Sequence, residues 1–169
     1  MRDDVSDTGQ IVASRAAVDI LSHVEDTDAQ IVRLLSADGR MSFTDLGRAT
    51  GLSTSAVHQR VKRLEARGVV RGYQAQLDPA AVGLGLSAFI SIRPIDPSQP
   101  DDSPERLRHL DAIEACYSVA GEESYVLKVR VPSTVALEGL LAEIRAAANV
   151  STRSTIVLST YYENRPIGG

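Results

Sequence analysis

Two short helical runs joined by only Gly51-Leu52-Ser53 constrain the fold of this chain more than any other feature. A three-residue connection leaves the second run no room to travel, so it must turn sharply and pack against the first. Glycine gives the left-handed backbone that ends one helix, and the Ser53 hydroxyl caps the next. Before the turn, Ser42-Phe43-Thr44-Asp45 has the spacing of a capping box, with Asp in place of Glu or Gln, and Leu46 and Ala49 follow. After it, Val57, Val61 and Leu64 form an apolar stripe that stops at Gly68. Upstream, Ile31, Leu34 and Leu35 recur at helical spacing, Glu25, Asp26 and Asp28 suit a helix start, and Asp38-Gly39 ends the run. Residues 24–70 therefore read as three helices around a small core, the last two a helix-turn-helix of winged-helix-like type.

The third helix turns Ser53, Thr54, Ser55, His58, Gln59 and Lys62 away from the stripe, with Arg60 and Arg63 on its flank and Arg71 just beyond it. Such a surface is ordinarily a solvated helix face. Here it begins in the first turn of the helix behind a tight connection, where recognition helices meet base edges. The expectation is that Ser55, His58, Gln59 and Lys62 face bases, while Arg60, Arg63 and Arg71 hold phosphates. Net charge agrees once divided along the chain. The whole protein carries −4, but residues 24–73 hold eight Lys/Arg against six Asp/Glu, and the excess is local to the third helix and its exit. The implied partner is double-stranded DNA.

Residues 71–82 read as a hinge strand and linker. Apolar and polar residues alternate from Tyr73 to Leu77, and Asp78-Pro79 breaks the run. In residues 83–169, Leu86–Arg93 is a strand, and Pro94 through Pro104 is a loop with four prolines. Ser103 and Pro104 then cap and start a helix containing Leu107 and Leu110. Strands over Ala115–Ala120 and Tyr125–Val131 flank Gly121-Glu122-Glu123-Ser124. Ser133 caps a helix with Leu137, Leu140, Leu141 and Ile144 on one face, and Thr152–Tyr162 is the last strand. This order is the ferredoxin-like βαββαβ arrangement, so the chain is α+β. Two helices cover one face of such a sheet, and a second copy is the simplest cover for the other. Residues 1–23 read as a flexible extension.

A lone Cys116 excludes an internal disulfide, and His23, His58 and His109 are too scattered for a metal site. Cys116 and Tyr117 read as core or interface residues, His23 and His109 as surface. No nucleophile-base-orienter set appears, so no catalysis and no cofactor are expected. The acidic start and the lack of a long apolar run point to a cytoplasmic protein.

Ser36-Ala37-Asp38-Gly39-Arg40, Gly51-Leu52-Ser53, Arg60-Val61-Lys62-Arg63-Leu64-Glu65, Gly68-Val69-Val70-Arg71-Gly72-Tyr73 and Leu77-Asp78-Pro79 follow one another in the order and spacing of a known family. With Val119-Ala120-Gly121-Glu122-Glu123-Ser124-Tyr125-Val126-Leu127-Lys128, they make the chain resemble the leucine-responsive regulatory protein/AsnC family over residues 24–165. Within the family it is most similar to the actinobacterial branch concerned with alanine metabolism. The resemblance implies a transcription regulator with an N-terminal DNA-binding domain, a hinge, and a C-terminal domain that dimerises, assembles further, often to octamers, and binds an amino-acid effector between sensor domains. It places Val119, Gly121, Glu122, Glu123, Ser124, Tyr125, Thr152 and Ser154 near that effector. Many members carry an aspartate where this chain has Ser124, which leaves Glu122 or Glu123 to meet a ligand ammonium. The bland reading of that pair is a solvated turn.

Overall fold

The computed structural model describes residues 26–98 and 100–166. The expected extension over residues 1–23, and His23 within it, lie outside the described residues. The chain divides into two compact units, residues 1–75 with the stretch from 164 onward, and residues 76–163.

The first unit is built from α1 (Asp26–Ala37), α2 (Phe43–Thr50) and α3 (Thr54–Ala66). Ser42 caps α2 by accepting the Asp45 N–H at 3.1 Å, and its hydroxyl donates to the Asp45 carboxylate at 2.6 Å. The box thus closes through the two side chains, because Asp is a methylene too short to reach back to the Ser42 backbone. Gly51 ends α2 at φ +73°, and Ser53 caps α3 by accepting the Ala56 N–H at 3.3 Å. Ile31, Leu46, Val57, Val61 and Leu64 form the buried core. After α3, Tyr73 docks on its own unit, its hydroxyl donating to Glu65 at 3.0 Å. Burial, then the Glu65 carboxylate, raise its pKa. Residues 74–77 are exposed and pair with no described strand.

The second unit consists of β1 (Leu86–Pro94), α4 (Ser103–Leu107), β2 (Ile113–Ser118), β3 (Tyr125–Val131), α5 (Thr134–Ala148) and β4 (Val150–Ile156). The sheet is antiparallel in the order β2-β3-β1-β4. That is the ferredoxin-like order, with each split βαβ pair holding a strand of the other between its own. Ala88, Ile90 and Ile92 of β1 and Leu127, Val129 and Val131 of β3 point to the helix side, where they pack with Leu137, Leu140 and Ile144 of α5. The alternate residues, Phe89, Ser91, Val126, Lys128 and Arg130, form the other face.

Three elements differ in their bounds from the sequence pattern. α4 is a single short helix with Asp102 at its N-cap position, while the Ser103 hydroxyl bonds Asp101 instead. Leu110 falls beyond it, because the chain tightens into i to i+3 turns at Arg108 and Leu110. β2 begins at Ile113, two residues before the expected start, and carries a bulge between Ile113 and Ala115. β4 runs from Val150 to Ile156 rather than from Thr152 to Tyr162. Asn149 in the left-handed conformation turns α5 directly into it, and its ladder runs out where β1 begins. Leu158, Tyr161 and Tyr162 continue the apolar pattern but are exposed.

Candidate nucleic-acid interface and ligand domain

The exposed face of α3 is held by local devices rather than by a large core. Gly47 lies where a Cβ would stand 2.7 Å from the Leu52 carbonyl oxygen, so the backbone of the turn closes onto α2 only because no side chain intervenes. The Leu52 N–H donates to the Gly47 carbonyl at 3.0 Å, and Gln30 of α1 donates to the Ala49 carbonyl at 3.0 Å. On this frame Thr54, Ser55, His58, Gln59 and Lys62 are all exposed, and so is Arg71. The His58 ring lies against Phe43 of α2, 5.1 Å between centroids, which fixes the imidazole at the α2–α3 junction. Ser53 has a capping role and also meets the Ser55 hydroxyl at 3.1 Å.

The arginines on the flank behave differently from expectation. Asp28 of α1 is 2% exposed, and its Oδ1 accepts from Arg60 Nη1 at 2.7 Å. Arg63 Nη2 reaches Oδ2 at 3.4 Å. Arg60 is therefore paired within its own unit. The reason is physical: a carboxylate this buried requires a partner, and the nearest cations project from α3. Sequence reasoning assigned Asp28 only a helix-start role, and it missed Gly47, whose signal was a glycine inside a helical pattern.

In the second unit, the residues grouped as one effector site separate onto two sides of the sheet. The loop between β2 and β3 is fastened by Val119 N–H to the Ser124 carbonyl and Ser124 N–H to the Ile92 carbonyl, at 3.1 and 3.0 Å. Gly121 holds φ +153° with open space around its Cα. Glu123 bonds Arg153 of β4. Glu122, Glu123, Ser91, Arg93, Ser151 and Arg153 line a shallow cavity of about 200 Å3 with Thr152. Tyr125 instead sits in register with Ile92 and packs on the helix-side core. Burial, then the charge of Asp101 and its hydrogen bond, raise its pKa. Thr152 and Ser154 are opposite Ile92 and Ile90, and Thr152 accepts from Arg145 of α5 at 3.2 Å. Within one chain Glu122, Glu123 and Thr152 border one cavity, while Tyr125 and Ser154 are not part of its lining.

The open face carries a charge cluster that sequence reasoning also missed. Lys128 contacts Glu114 at 3.1 Å and Glu163, and Arg130 contacts Glu114 and, at 2.9 Å, Glu163. Both cations are less than a fifth exposed. Glu163 draws the segment after β4 across the sheet, beside a cavity of about 330 Å3 bordered by Phe89 and Tyr161. Only the Lys128-x-Arg130 alternation was visible in sequence; its partners lie 14 or more residues away. Cys116 is exposed on the edge strand. Partial burial, then the charges of Glu105 and Asp101, raise its pKa, so it stays a thiol at neutral pH. Among the described residues no group of His, Cys, Asp or Glu is placed to hold a metal ion, and no helix is long and apolar enough to cross a membrane.

Residues 25–65 match the AsnC-type helix-turn-helix domain, and residues 87–167 match the Lrp/AsnC ligand binding domain. The chain belongs to the Lrp/AsnC family of transcription regulators. An Lrp/AsnC relative, the HTH-type transcriptional regulator LrpA of Mycobacterium tuberculosis, is 60% identical over 142 residues, 84% of this chain and 95% of that protein. The leucine-responsive regulatory protein of Escherichia coli is 34% identical over 136 residues, 78% of this chain and 82% of its own. The feast or famine regulatory protein of M. tuberculosis, solved in complex with L-methionine, shares the Lrp/AsnC fold with a TM-score of 0.83 at 60% identity, covering 84% of this chain and 97% of that one. Like these Lrp/AsnC relatives, the chain is a DNA-binding transcriptional regulator with a ligand-binding domain, not an enzyme.

Proposed function

We propose that the chain reads DNA sequence through the outer face of α3 and that an amino acid bound in the C-terminal unit adjusts its occupancy of DNA. The observation that carries the first half is the uninterrupted exposed set Thr54, Ser55, His58, Gln59 and Lys62 on a helix capped at Ser53 and locked by the Gly47–Leu52 contact. Its hydroxyls, imidazole, amide and ammonium supply both donors and acceptors for base edges, and Arg71 is the exposed cation beside them available for phosphate.

The second half rests on the loop from Val119 to Ser124. Two relatives of this fold are complexed with L-methionine, one from M. tuberculosis and one from Neisseria meningitidis, the latter 27% identical with a TM-score of 0.76. An α-amino acid needs a carboxylate for its ammonium and donors for its carboxylate. Glu122 and Glu123 supply the first; the loop N–H groups and Ser124 supply the second. Tyr125 and Ser154 complete the site only if a second copy brings its own helix side against this loop, so the reading includes a homo-oligomer, at least a dimer, with octamers as the higher form. The exposed stretch 74–77 within the hinge 71–82 and the open sheet face are the surfaces for that association. Its place of action is the cytoplasm.

The test is selection of bound fragments from a random-sequence duplex library, followed by calorimetric titration of methionine, leucine and alanine with light scattering for mass. A recovered motif with repeated half-sites, and an amino acid that binds and shifts both mass and DNA affinity, support the reading. Recovery of no motif overturns the first half, and absence of amino-acid binding the second.

A further inference from the structure

The two arginines on the flank of α3 are not equivalent, and one buried carboxylate sets them apart. Arg60 and Arg63 stand one turn apart on α3 and converge on Asp28 of α1, one on each carboxylate oxygen, at 2.7 and 3.4 Å. Asp28 is 2% exposed, the Arg60 side chain 23%, and the Arg63 side chain 51%. Arg60 is thus enclosed with its counter-charge. Arg63 lies at the outer limit of hydrogen-bond distance with half its surface in water, within reach of a phosphate beside α3 yet drawn back toward the protein.

We propose that Asp28 is a positioning residue for DNA binding: it withholds the half-exposed Arg63 from the phosphates, with Arg60 enclosed as its other partner, and so sets the sequence-independent share of affinity. The inference rests on the reading of α3 as the DNA-contacting helix. Cations that reach phosphate raise affinity for every sequence alike, whereas specificity is the ratio of operator to random binding. Tying down two guanidinium groups on the recognition helix lowers the random term, while Ser55, His58, Gln59 and Lys62 are left to read bases. The same contact joins α3 to α1 and fixes which side of α3 faces outward.

The experiment uses the full chain, a duplex selected by the wild type from a random library, and a scrambled duplex of equal length, with affinities measured between about 50 and 200 mM salt. Asp28→Asn is expected to steepen the salt dependence on both duplexes by about 0.9 in log–log slope for one phosphate gained, which is about 3.5-fold more affinity lost across that fourfold range. Scrambled-duplex affinity rises and the specific-to-random ratio falls. Arg63→Gln alone leaves the slope unchanged, but combined with Asp28→Asn it removes the added slope. Equal losses on both duplexes with no change of slope in Asp28→Asn overturn the inference. So does a slope flattened by about 0.9 in Arg63→Gln alone. If circular dichroism shows Asp28→Asn unfolded, Arg63→Gln decides by itself, an unchanged slope supporting the inference and a flattened one overturning it. A wild-type chain that selects no duplex overturns the DNA-binding reading and this inference together, whereas selection with unaltered slopes overturns this inference alone.

Discussion

The helix-turn-helix unit and the ferredoxin-like unit stabilise themselves by different means. In the first, five apolar residues, Ile31, Leu46, Val57, Val61 and Leu64, make up the buried core. Caps at Ser42 and Ser53, the close approach at Gly47 and the Asp28–Arg60 pair make up the rest of its order. In the second, a continuous layer from β1, β3, α4, α5 and β4 is buried together, and the opposite sheet face can then be given to charged residues. A small core fixed by local geometry presents one helix face accurately. A larger core tolerates an unfinished surface.

The largest expected effect that would break this contrast comes from equal core truncations in the two units. Ile31→Ala and Leu127→Ala each remove a fully buried side chain at a cost of about 2–5 kcal/mol. Small domains hold little reserve, so the first unit is expected to unfold with Ile31→Ala while the second stays folded with Leu127→Ala. Calorimetry resolving two transitions, with amide exchange to assign them, checks this. Survival of the α1–α3 amides in Ile31→Ala would show that caps and turns suffice without the core.

Gly47→Ala tests the local devices themselves. The new methyl would meet the Leu52 carbonyl oxygen at 2.7 Å, and that atom belongs to backbone rather than to a side chain that can swing aside. Either α2 or the turn must shift, at about 1–3 kcal/mol. The expected outcome is a lowered melting point of the first unit together with weaker binding to selected DNA, since α3 moves with the turn. Gly139→Ala, on α5 with open space around it, is the control and is expected to be neutral or slightly stabilising.

How much of this was legible in sequence follows the same division. The turn, both serine caps and the α3 stripe could be read because each depends on residues within four positions of one another. β3 and the start of α5 were legible for the same reason. The Asp28–Arg60 contact spans 32 residues and the Arg130–Glu163 contact 33, and no local pattern reports such distances. The pairing of Arg60 was not legible because a guanidinium on an exposed-looking helical position carries no mark of a carboxylate 32 residues away. β4 was drawn too long because Leu158, Tyr161 and Tyr162 keep an apolar rhythm after the ladder partner on β1 has ended. Of the residues assigned to the effector, Glu123 lies in the loop before β3 and borders the cavity with Arg153, Tyr125 packs on the helix-side core, and strand alternation turns Thr152 and Arg153 to opposite sides of the sheet.

The smallest expected effect concerns the open face and its Glu163 contact, and its pH dependence has a definite sign. The hydrogen bond from Lys128 foremost, against an opposing effect of burial and with help from the charges of Lys128 and Arg130, lowers the Glu163 pKa. A lowered carboxyl contributes stability in full above its unfolded value, about 4.3, and loses it as pH falls through the lower folded value. For Lys128, burial is the largest single influence and pulls downward, but bonds and charges of Glu163 and Glu114 together outweigh it and its pKa is raised. Its contribution is present below about 10.4 and fades as pH rises through the raised value. The cluster is therefore intact across neutral pH and weakens at both ends. Because Glu163 is about a third exposed, solvent screens the interaction and Glu163→Gln should cost under about 1 kcal/mol at pH 7. At about pH 3 the gap between variant and wild type should shrink, since the native carboxylate is itself becoming protonated there. Urea midpoints of both proteins at the two pH values, repeated in high salt, give the comparison. A gap that is the same at both pH values would mean that Glu163 orders the tail by shape rather than by charge, and that the open face is as locally built as the first unit.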